Sequence, residues 1–269
     1  MYLSHYLARG GVCARRKAAE LIKDGFVKVN DKVEKNPAYE IKEEDRIVYG
    51  GKRVYPQEAA YLVLNKPKGI VTTCADERNR QTVLDMIKIK NKKLRLYPVG
   101  RLDKDTTGLL VLTNDGEMAQ KLAHPKFRVR KTYMAKLDKP LEKMDYEKLR
   151  KGVFLRDGRF APDKIFHPKT STRVVGLEIH SGKYRIIRRA FFHLGYEVLM
   201  LERVAYGPLR LKDLPTGSWR DIKRTELLKL LPSETADTAK PTKRALAPRR
   251  PAASRKPSRP GRAAASKKR

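Results

Sequence analysis

The sequence predicts an α+β protein in three parts: a small α/β unit, a larger domain on a mostly antiparallel sheet, and a disordered basic tail. Three observations support this fold class. Helical apolar spacing marks the start of the chain, short strand-like apolar segments outnumber helical patterns in the middle, and the end is rich in Ala, Pro, Ser, Lys and Arg. The predicted parts are residues 1–55, 61–231 and 232–269, with a short linker over residues 50–60.

The N-terminal unit is predicted to begin with two helices. Leu3 and Leu7 have helical spacing, and Gly10-Gly11 ends this short helix. A second helix is predicted from Arg15 to Asp24, because apolar residues line one face and Gly25 follows as a stop signal. The next predicted elements are the strand Phe26–Val29, the turn Asn30-Asp31 and the strand Asp45–Tyr49.

Positive charge lines the two predicted helices, and the candidate RNA-binding residues there are Arg9, Arg15, Arg16 and Lys17. A merely solvated basic face is the alternative. The segments Leu3-Ser-His-Tyr-Leu, Gly11-Val-Cys-Ala-Arg-Arg-Lys-Ala-Ala-Glu-Leu-Ile and Gly25-Phe-Val-Lys-Val-Asn resemble the S4 RNA-binding domain. The resemblance covers nearly the whole unit and implies binding to structured RNA.

Composition points to a polyanionic partner. The formal net charge is +32, and the residues after Pro232 hold twelve Lys or Arg against two acids. The folded part therefore also stays strongly basic, as expected of a protein that neutralises phosphates. No membrane-spanning stretch or signal peptide is evident, and two distant cysteines without metal-type spacing favour a reducing, cytoplasmic location and no metal site.

The larger domain is predicted to be strand-rich, without regular alternation of strands and helices. The apolar segments favour strands at Tyr61–Leu64, Leu109–Leu112, Tyr133–Leu137, Val174–Ile179 and Val198–Leu201. Helices are predicted at Glu117–Ala123, Leu141–Lys151 and Arg185–Leu194, and the turn Asn114-Asp115-Gly116 is expected to cap the first of them.

A single carboxylate, Asp103, stands in a glycine-bounded polar loop beside Arg101. A cation close to a carboxylate lowers its pKa and keeps it ionised. The sequence shows no cluster of metal-binding acids, no Ser or Cys nucleophile pattern and no glycine-rich nucleotide fingerprint. A lone ionised aspartate near arginines therefore favours covalent attack on a sugar or base carbon, whereas a glycosidase would need a second carboxylate.

Three segments of this domain stand out: Asn65-Lys-Pro-Lys-Gly, Gly100-Arg-Leu-Asp-Lys-Asp-Thr-Thr-Gly-Leu-Leu-Val-Leu-Thr-Asn-Asp-Gly, and Lys183-Tyr-Arg-Ile-Ile-Arg-Arg. Together they resemble the motifs of the RsuA-type family of ribosomal RNA pseudouridine synthases. The resemblance implies isomerisation of uridine to pseudouridine without a cofactor. It implies that Asp103 is the nucleophile, that Tyr133 stacks on the target base, and that Arg188 pairs with Asp103.

The candidate RNA-binding residues of this domain are Arg101, Lys66 and Arg185. The chain departs from the family pattern at Ile186, where a polar residue is usual, and at Ala190, where Met or Leu is frequent. The segments Arg203-Val-Ala-Tyr-Gly-Pro-Leu and Leu214-Pro-Thr-Gly-Ser-Trp-Arg resemble the branch of the family that modifies large-subunit (23S) RNA.

The expected partner is ribosomal RNA or a ribosomal assembly intermediate, with no membrane involved and the protein acting as a monomer. Two alternatives stay open. One is a small-subunit (16S) RNA target, and the other is a non-catalytic RNA-binding factor in ribosome assembly.

Overall fold

The computed structural model describes residues 1–88, 94–168, 171–211 and 214–231, all within one unit that spans Met1–Ser233. The tail predicted over residues 232–269 lies outside the described residues. No helix in these ranges is long and apolar enough to cross a membrane.

Two helices and four short strands form the N-terminal part and keep a core of their own. The elements are α1 (Leu3–Arg9), α2 (Arg15–Lys23), β1 (Val27–Val29), β2 (Lys32–Val33), β3 (Ile47–Tyr49) and β4 (Lys52–Arg53), and the sheet order is β2-β1-β3-β4. Leu3 and Leu7 of α1 and Ile22 of α2 are fully buried against Val27 and Ile47. The two predicted helices and both predicted strands are therefore confirmed, with β2 and β4 added.

Strand β4 corrects the prediction of a linker over residues 50–60. Gly50 and Gly51 have φ angles of 55° and 74°, and β4 pairs antiparallel with β3 immediately after them. A two-residue hairpin with positive φ at both positions matches the twist of the strands it joins, and glycine adopts it without steric cost. Asn30 and Asp31, at φ 49° and 66°, close the β1–β2 hairpin in the same way.

The larger part is built on one mixed sheet. Its strands are β5 (Tyr61–Lys66), β6 (Tyr97–Pro98), β7 (Thr106–Thr113), β8 (Lys131–Leu137), β11 (Lys164–Phe166), β12 (Val174–Ile179), β13 (Val198–Tyr206), β14 (Leu209–Arg210) and β15 (Trp219–Asp221). The order is β11-β12-β8-β13-β7-β5-β15, with β14 on β13 and β6 on β7. Among the described strand pairs of this sheet, β7 and β13 alone are parallel. The predicted antiparallel α+β architecture is confirmed.

Helices cover both faces of the sheet. They are α3 (Gly116–Ala123), α4 (Lys143–Lys151), α5 (Ile186–His193) and α6 (Arg224–Leu228), and a separate hairpin is formed by β9 (Val153–Leu155) and β10 (Gly158–Phe160). On β7, Leu110 and Leu112 join the core that contains α5, whereas Leu109 and Val111 join the core that contains α3. Successive side chains of a strand point to opposite faces of the sheet. A strand that is buried on both faces therefore has a continuous apolar sequence, as β7 does.

The start of α3 is capped as predicted. The Asp115 carboxylate accepts hydrogen bonds from the backbone N–H groups of Glu117 and Met118, each at 3.1 Å. These bonds satisfy donors that the first turn of a helix leaves unpaired.

Gly108 allows the close parallel contact between β7 and β13 that positions the Asp103 loop. Gly108 has φ 102°, and a Cβ atom there would meet the backbone of Arg203, at 2.8 Å from its nitrogen. Glycine is therefore required both by the backbone conformation and by the space available.

Candidate active site

The loop that carries Asp103 connects β6 to β7 and is held by the segment after β5. The Thr72 hydroxyl donates a hydrogen bond to the Leu102 carbonyl at 2.8 Å, and the Gly69 N–H donates to the Lys104 carbonyl at 2.8 Å. Within the loop, the Thr106 N–H donates to the Asp103 carbonyl at 3.1 Å. These contacts fix the backbone on both sides of Asp103.

The buried side chain of Lys66 holds the same loop in place. Its predicted role as an RNA-binding residue is wrong. The Lys66 side chain is fully buried, and its ammonium donates hydrogen bonds to the carbonyls of Thr106 at 2.9 Å, Pro67 at 3.0 Å and Lys104 at 3.4 Å. Burial lowers the pKa of Lys66 to about 8, and the charges of Asp105 and Asp103 only partly offset that effect. Because the Lys66 ammonium is buried and hydrogen-bonded to backbone carbonyls, it cannot contact RNA.

Two carboxylates and two arginines meet beside the loop. Arg185 binds Asp105 through two hydrogen bonds of 3.1 Å, and Arg188 lies 3.3 Å from the same carboxylate. Asp103 has a looser contact, 3.6 Å from Arg185. Arg185 is the cation within 4 Å of Asp103 in the described part of the chain, so the expected pairing of Arg188 with Asp103 is corrected to a pairing with Asp105.

The electrostatics of the cluster follow from these contacts. Burial pushes the pKa of Asp105 up, but the hydrogen bonds from Arg185 and the charges of Arg188 and Arg185 bring that pKa below its usual value. Burial lowers the pKa of Arg188, against the favourable charge of Asp105. The carboxylate of Asp105 is thus held ionised between two guanidinium groups.

The start of α5 places both arginines. Arg185 adopts φ 44° at the N-cap, a left-handed conformation that costs a non-glycine residue energy and that often occurs at functional sites. Arg188 lies one helical turn later and donates hydrogen bonds to the carbonyls of Val198 at 2.6 Å and Asp105 at 3.2 Å. Arg188 therefore ties α5 to β13 and to the Asp103 loop.

Two adjoining cavities open at Asp103. The smaller, of about 280 Å³, has a mixed lining in which Tyr133, Ile186 and Leu201 supply apolar surface. The Thr106 hydroxyl in its lining is buried and has no hydrogen-bond partner in the described residues. The larger, of about 800 Å³, is lined mostly by polar and charged groups. Asp103 lines both cavities, whereas Asp105 lines only the larger one.

Similarity to known proteins identifies the family of this chain. Residues 60–193 match the family model described as RNA pseudouridylate synthase, and residues 3–47 match that of the S4 domain. The chain is 42% identical over 232 residues to the Bacillus subtilis "Ribosomal large subunit pseudouridine synthase B", an alignment that covers 85% of this chain and 94% of that protein. The chain belongs to the RNA pseudouridine synthase family. It is therefore an isomerase with an RNA substrate.

Other relatives of this RNA pseudouridine synthase agree. An Aquifex aeolicus protein named "Uncharacterized RNA pseudouridine synthase" is 36% identical, with 85% of this chain and 92% of that protein aligned. A solved structure titled "Crystal structure of pseudouridylate synthase" superposes with a TM-score of 0.61 at 29% identity. The superposition covers 86% of this chain and 100% of that chain.

The remaining predicted site residues of this pseudouridine synthase fall in two places. Tyr133 is 8% exposed in the wall of the smaller cavity, and Arg101 is exposed at the rim of both cavities. The N-terminal candidates Arg9, Arg15, Arg16 and Lys17 are all exposed on α1 and α2. Lys17 forms an ion pair with Glu20 at 3.0 Å. In the described ranges no group of His, Cys, Asp or Glu could hold a metal ion.

Sequence reasoning missed two residues of the pseudouridine synthase site. Asp105 holds both arginines, and its signal was its place in the same loop, two residues after Asp103. Tyr184 is 74% exposed where the two cavities meet, and it stands between Lys183 and Arg185 in a segment already singled out for its cations. Ile186, the departure from the family pattern, is buried in the wall of the smaller cavity.

Proposed function

We propose that this enzyme converts one uridine of large-subunit ribosomal RNA to pseudouridine, with Asp103 as the nucleophile. The name of the Bacillus subtilis relative supports the large-subunit substrate. One observation carries the choice of nucleophile. Of the two carboxylates in the loop, Asp103 lines the smaller cavity, to which Tyr133 also contributes, and Asp105 does not.

In the proposed reaction the target nucleotide leaves its stack and places its base in the smaller cavity, at a cost of a few kcal/mol. An Asp103 oxygen bonds to C1′ and the N1–C1′ bond breaks, so that the electron pair stays on the uracil. The uracil turns, its C5 bonds to C1′, and Asp103 is released. C5 loses its proton and N1 gains one. The product has the composition of the substrate, and no oxidant, reductant or cofactor is needed.

The neighbouring side chains have separate roles in this proposal. Tyr133 stacks on the target base and assists removal of the C5 proton. Arg185 supplies positive charge near Asp103, while Arg188 acts through Asp105 and is a positioning residue. The apolar wall at Ile186 retains the detached uracil beside C1′.

The N-terminal part supplies affinity in this proposal. Arg9, Arg15, Arg16 and Lys17 form an exposed basic surface on α1 and α2, which contacts phosphates and gives no sequence information. The proposed substrate is ribosomal RNA or an assembly intermediate in the cytoplasm, and the enzyme acts on it as a monomer.

Modification mapping in a deletion strain tests the proposal. Carbodiimide labelling with primer extension should show one pseudouridine lost from the large-subunit RNA and restored by the wild-type gene. Asp103→Asn should not restore this pseudouridine although its RNA binding persists. Asp105→Asn, the matched removal of one charge, should lower the rate but leave modification measurable.

The same experiment separates the alternatives. Loss of a small-subunit pseudouridine would move the substrate to the other ribosomal RNA. An unchanged map together with retained RNA binding would indicate a binding factor in place of an enzyme. Activity in Asp103→Asn with none in Asp105→Asn would reverse the assignment of the nucleophile.

A further inference from the structure

We propose that the larger cavity binds the nucleotide next to the target uridine, with its base stacked on the ring of Tyr184. This inference rests on the proposed function, because it needs the target base to occupy the smaller cavity. It assigns a single-stranded RNA nucleotide to the cavity that the target base does not occupy.

Tyr184 is an exposed ring on a fixed backbone. Its side chain is 74% exposed, and its hydroxyl has no hydrogen-bond partner in the described residues. The Tyr184 carbonyl accepts a hydrogen bond from Arg189 at 2.8 Å, and Asp157 holds Arg189 through contacts of 2.7 and 3.0 Å. An apolar ring presented to solvent by an anchored segment is suited to stacking, because little backbone freedom is lost when a base binds.

The charge around this ring suits a phosphodiester. Five cations and three carboxylates line the larger cavity. The carboxylates are already paired, Asp76 with Arg80 at 2.6 Å and Asp103 and Asp105 with Arg185. Exposed Lys68, Arg101 and Lys104 have no side-chain partner in the part of the chain that the structure describes. Unpaired cations beside an exposed aromatic ring are the combination that binds single-stranded nucleic acid.

The two cavities adjoin and share lining residues. Arg101, Asp103, Tyr184 and Arg185 line both, so a strand that places one nucleotide in the smaller cavity brings the next nucleotide close to Tyr184. The larger cavity, at about 800 Å³ against about 280 Å³, leaves room for a base and its backbone. Since every base has a face on which a ring can stack, we expect this contact to tolerate different neighbours of the target.

Fluorescence titration of the full chain tests the proposal. The probe is a nine-nucleotide RNA with 2-aminopurine at its centre and four uridines on each side. Wild-type protein should change the 2-aminopurine fluorescence on binding. Tyr184→Ala should abolish this change and raise Kd about 5-fold to 150-fold, the usual effect of losing one base–ring stack. Tyr184→Phe keeps the ring and should behave as wild type.

Phe192→Ala is the matched control, because Phe192 is 81% exposed on α5 and lies outside the residues that line either cavity. It should leave both Kd and the fluorescence change unaltered, and equal thermal melting of all variants excludes misfolding. A Tyr184→Ala variant with wild-type Kd and fluorescence overturns the proposal, and so does a Tyr184→Phe variant as weak as Tyr184→Ala. Because the probe is bound and not modified, these results are independent of the Asp103→Asn mapping experiment.

Discussion

The buried ammonium of Lys66 should make the stability of this protein rise with pH above neutrality. Lys66 has an ordinary pKa of 10.5 when unfolded and about 8 when folded. Below pH 8 the amine is protonated in both states, and the folded state bears the full cost of the buried charge. Between pH 8 and 10.5 the folded state loses its proton first. The unfolded state then binds more protons, so the free energy of unfolding increases with pH.

The size of the increase follows from the two pKa values. Each pH unit well inside this window contributes about 1.4 kcal/mol, but Lys66 is only half titrated at pH 8 in the folded state, so it adds about 1.6 kcal/mol between pH 8 and 9.5. Burial also lowers the pKa of Lys131 to about 8, which adds a similar rise. From about pH 9 upward other groups oppose this rise. Burial raises the pKa of Cys13 and Cys74 above 9.0 and the pKa of Tyr61, Tyr97 and Tyr206 to about 12, so these groups ionise first in the unfolded state. The rise that the two lysines produce should therefore flatten and then reverse.

Urea unfolding at pH 7, 8, 9 and 9.5 measures this dependence. Between pH 8 and 9.5 wild type should gain about 1.6 kcal/mol more than Lys66→Met, because every other titrating group contributes equally to both proteins. Lys136→Met removes an exposed lysine from the same sheet and should reproduce the wild-type slope. A Lys66→Met slope equal to that of wild type would refute the reasoning.

Two further predictions concern the fold and the RNA-binding surface. Gly108→Ala should lower the free energy of unfolding by several kcal/mol, because the added Cβ would meet the Arg203 backbone. Gly195→Ala is the control, since Gly195 also has positive φ but open space around it, and it should cost only about 1 kcal/mol in a thermal melt. Equal costs for the two variants would contradict the packing argument. The double variant Arg15→Gln, Arg16→Gln should reduce the slope of log K against log salt for RNA binding by about 1.5–2, and an unchanged slope would remove these residues from the interface.

The elements that sequence reasoning placed well are those with local signals. The helix Arg15–Lys23 has an apolar face and a glycine stop, and the strand Val174–Ile179 has β-branched residues followed by a turn. The missed strands, such as β9, β10 and β14, are two or three residues long. Segments this short have too few side chains to show a period, and pairing with distant strands stabilises them.

The site residues also divide into those that local motifs place and those that depend on contacts distant in the sequence. Asp103 and Tyr133 lie in motifs that a resemblance can place, and the structure brings both to one cavity. Lys66 was mistaken for an RNA contact because its burial depends on carbonyls of Lys104 and Thr106, about forty residues later in the chain. Arg185 and Arg188 are one helical turn apart, so the sequence cannot say which arginine meets which carboxylate. The conformation of the 100–105 loop decides it.

The different contacts of Asp103 and Asp105 support the proposal that Asp103, and not Asp105, is the nucleophile. Asp105 receives contacts of 3.1, 3.1 and 3.3 Å from Arg185 and Arg188, and those contacts occupy its lone pairs. Asp103 lies 3.6 Å from Arg185, beyond hydrogen-bond distance, so its oxygens feel the positive charge without donating a lone pair to it. A carboxylate in the position of Asp105 would have to break strong contacts before attacking C1′. Asp103 has only a loose one to break, which is why the reaction is assigned to Asp103 and the positioning of the arginines to Asp105.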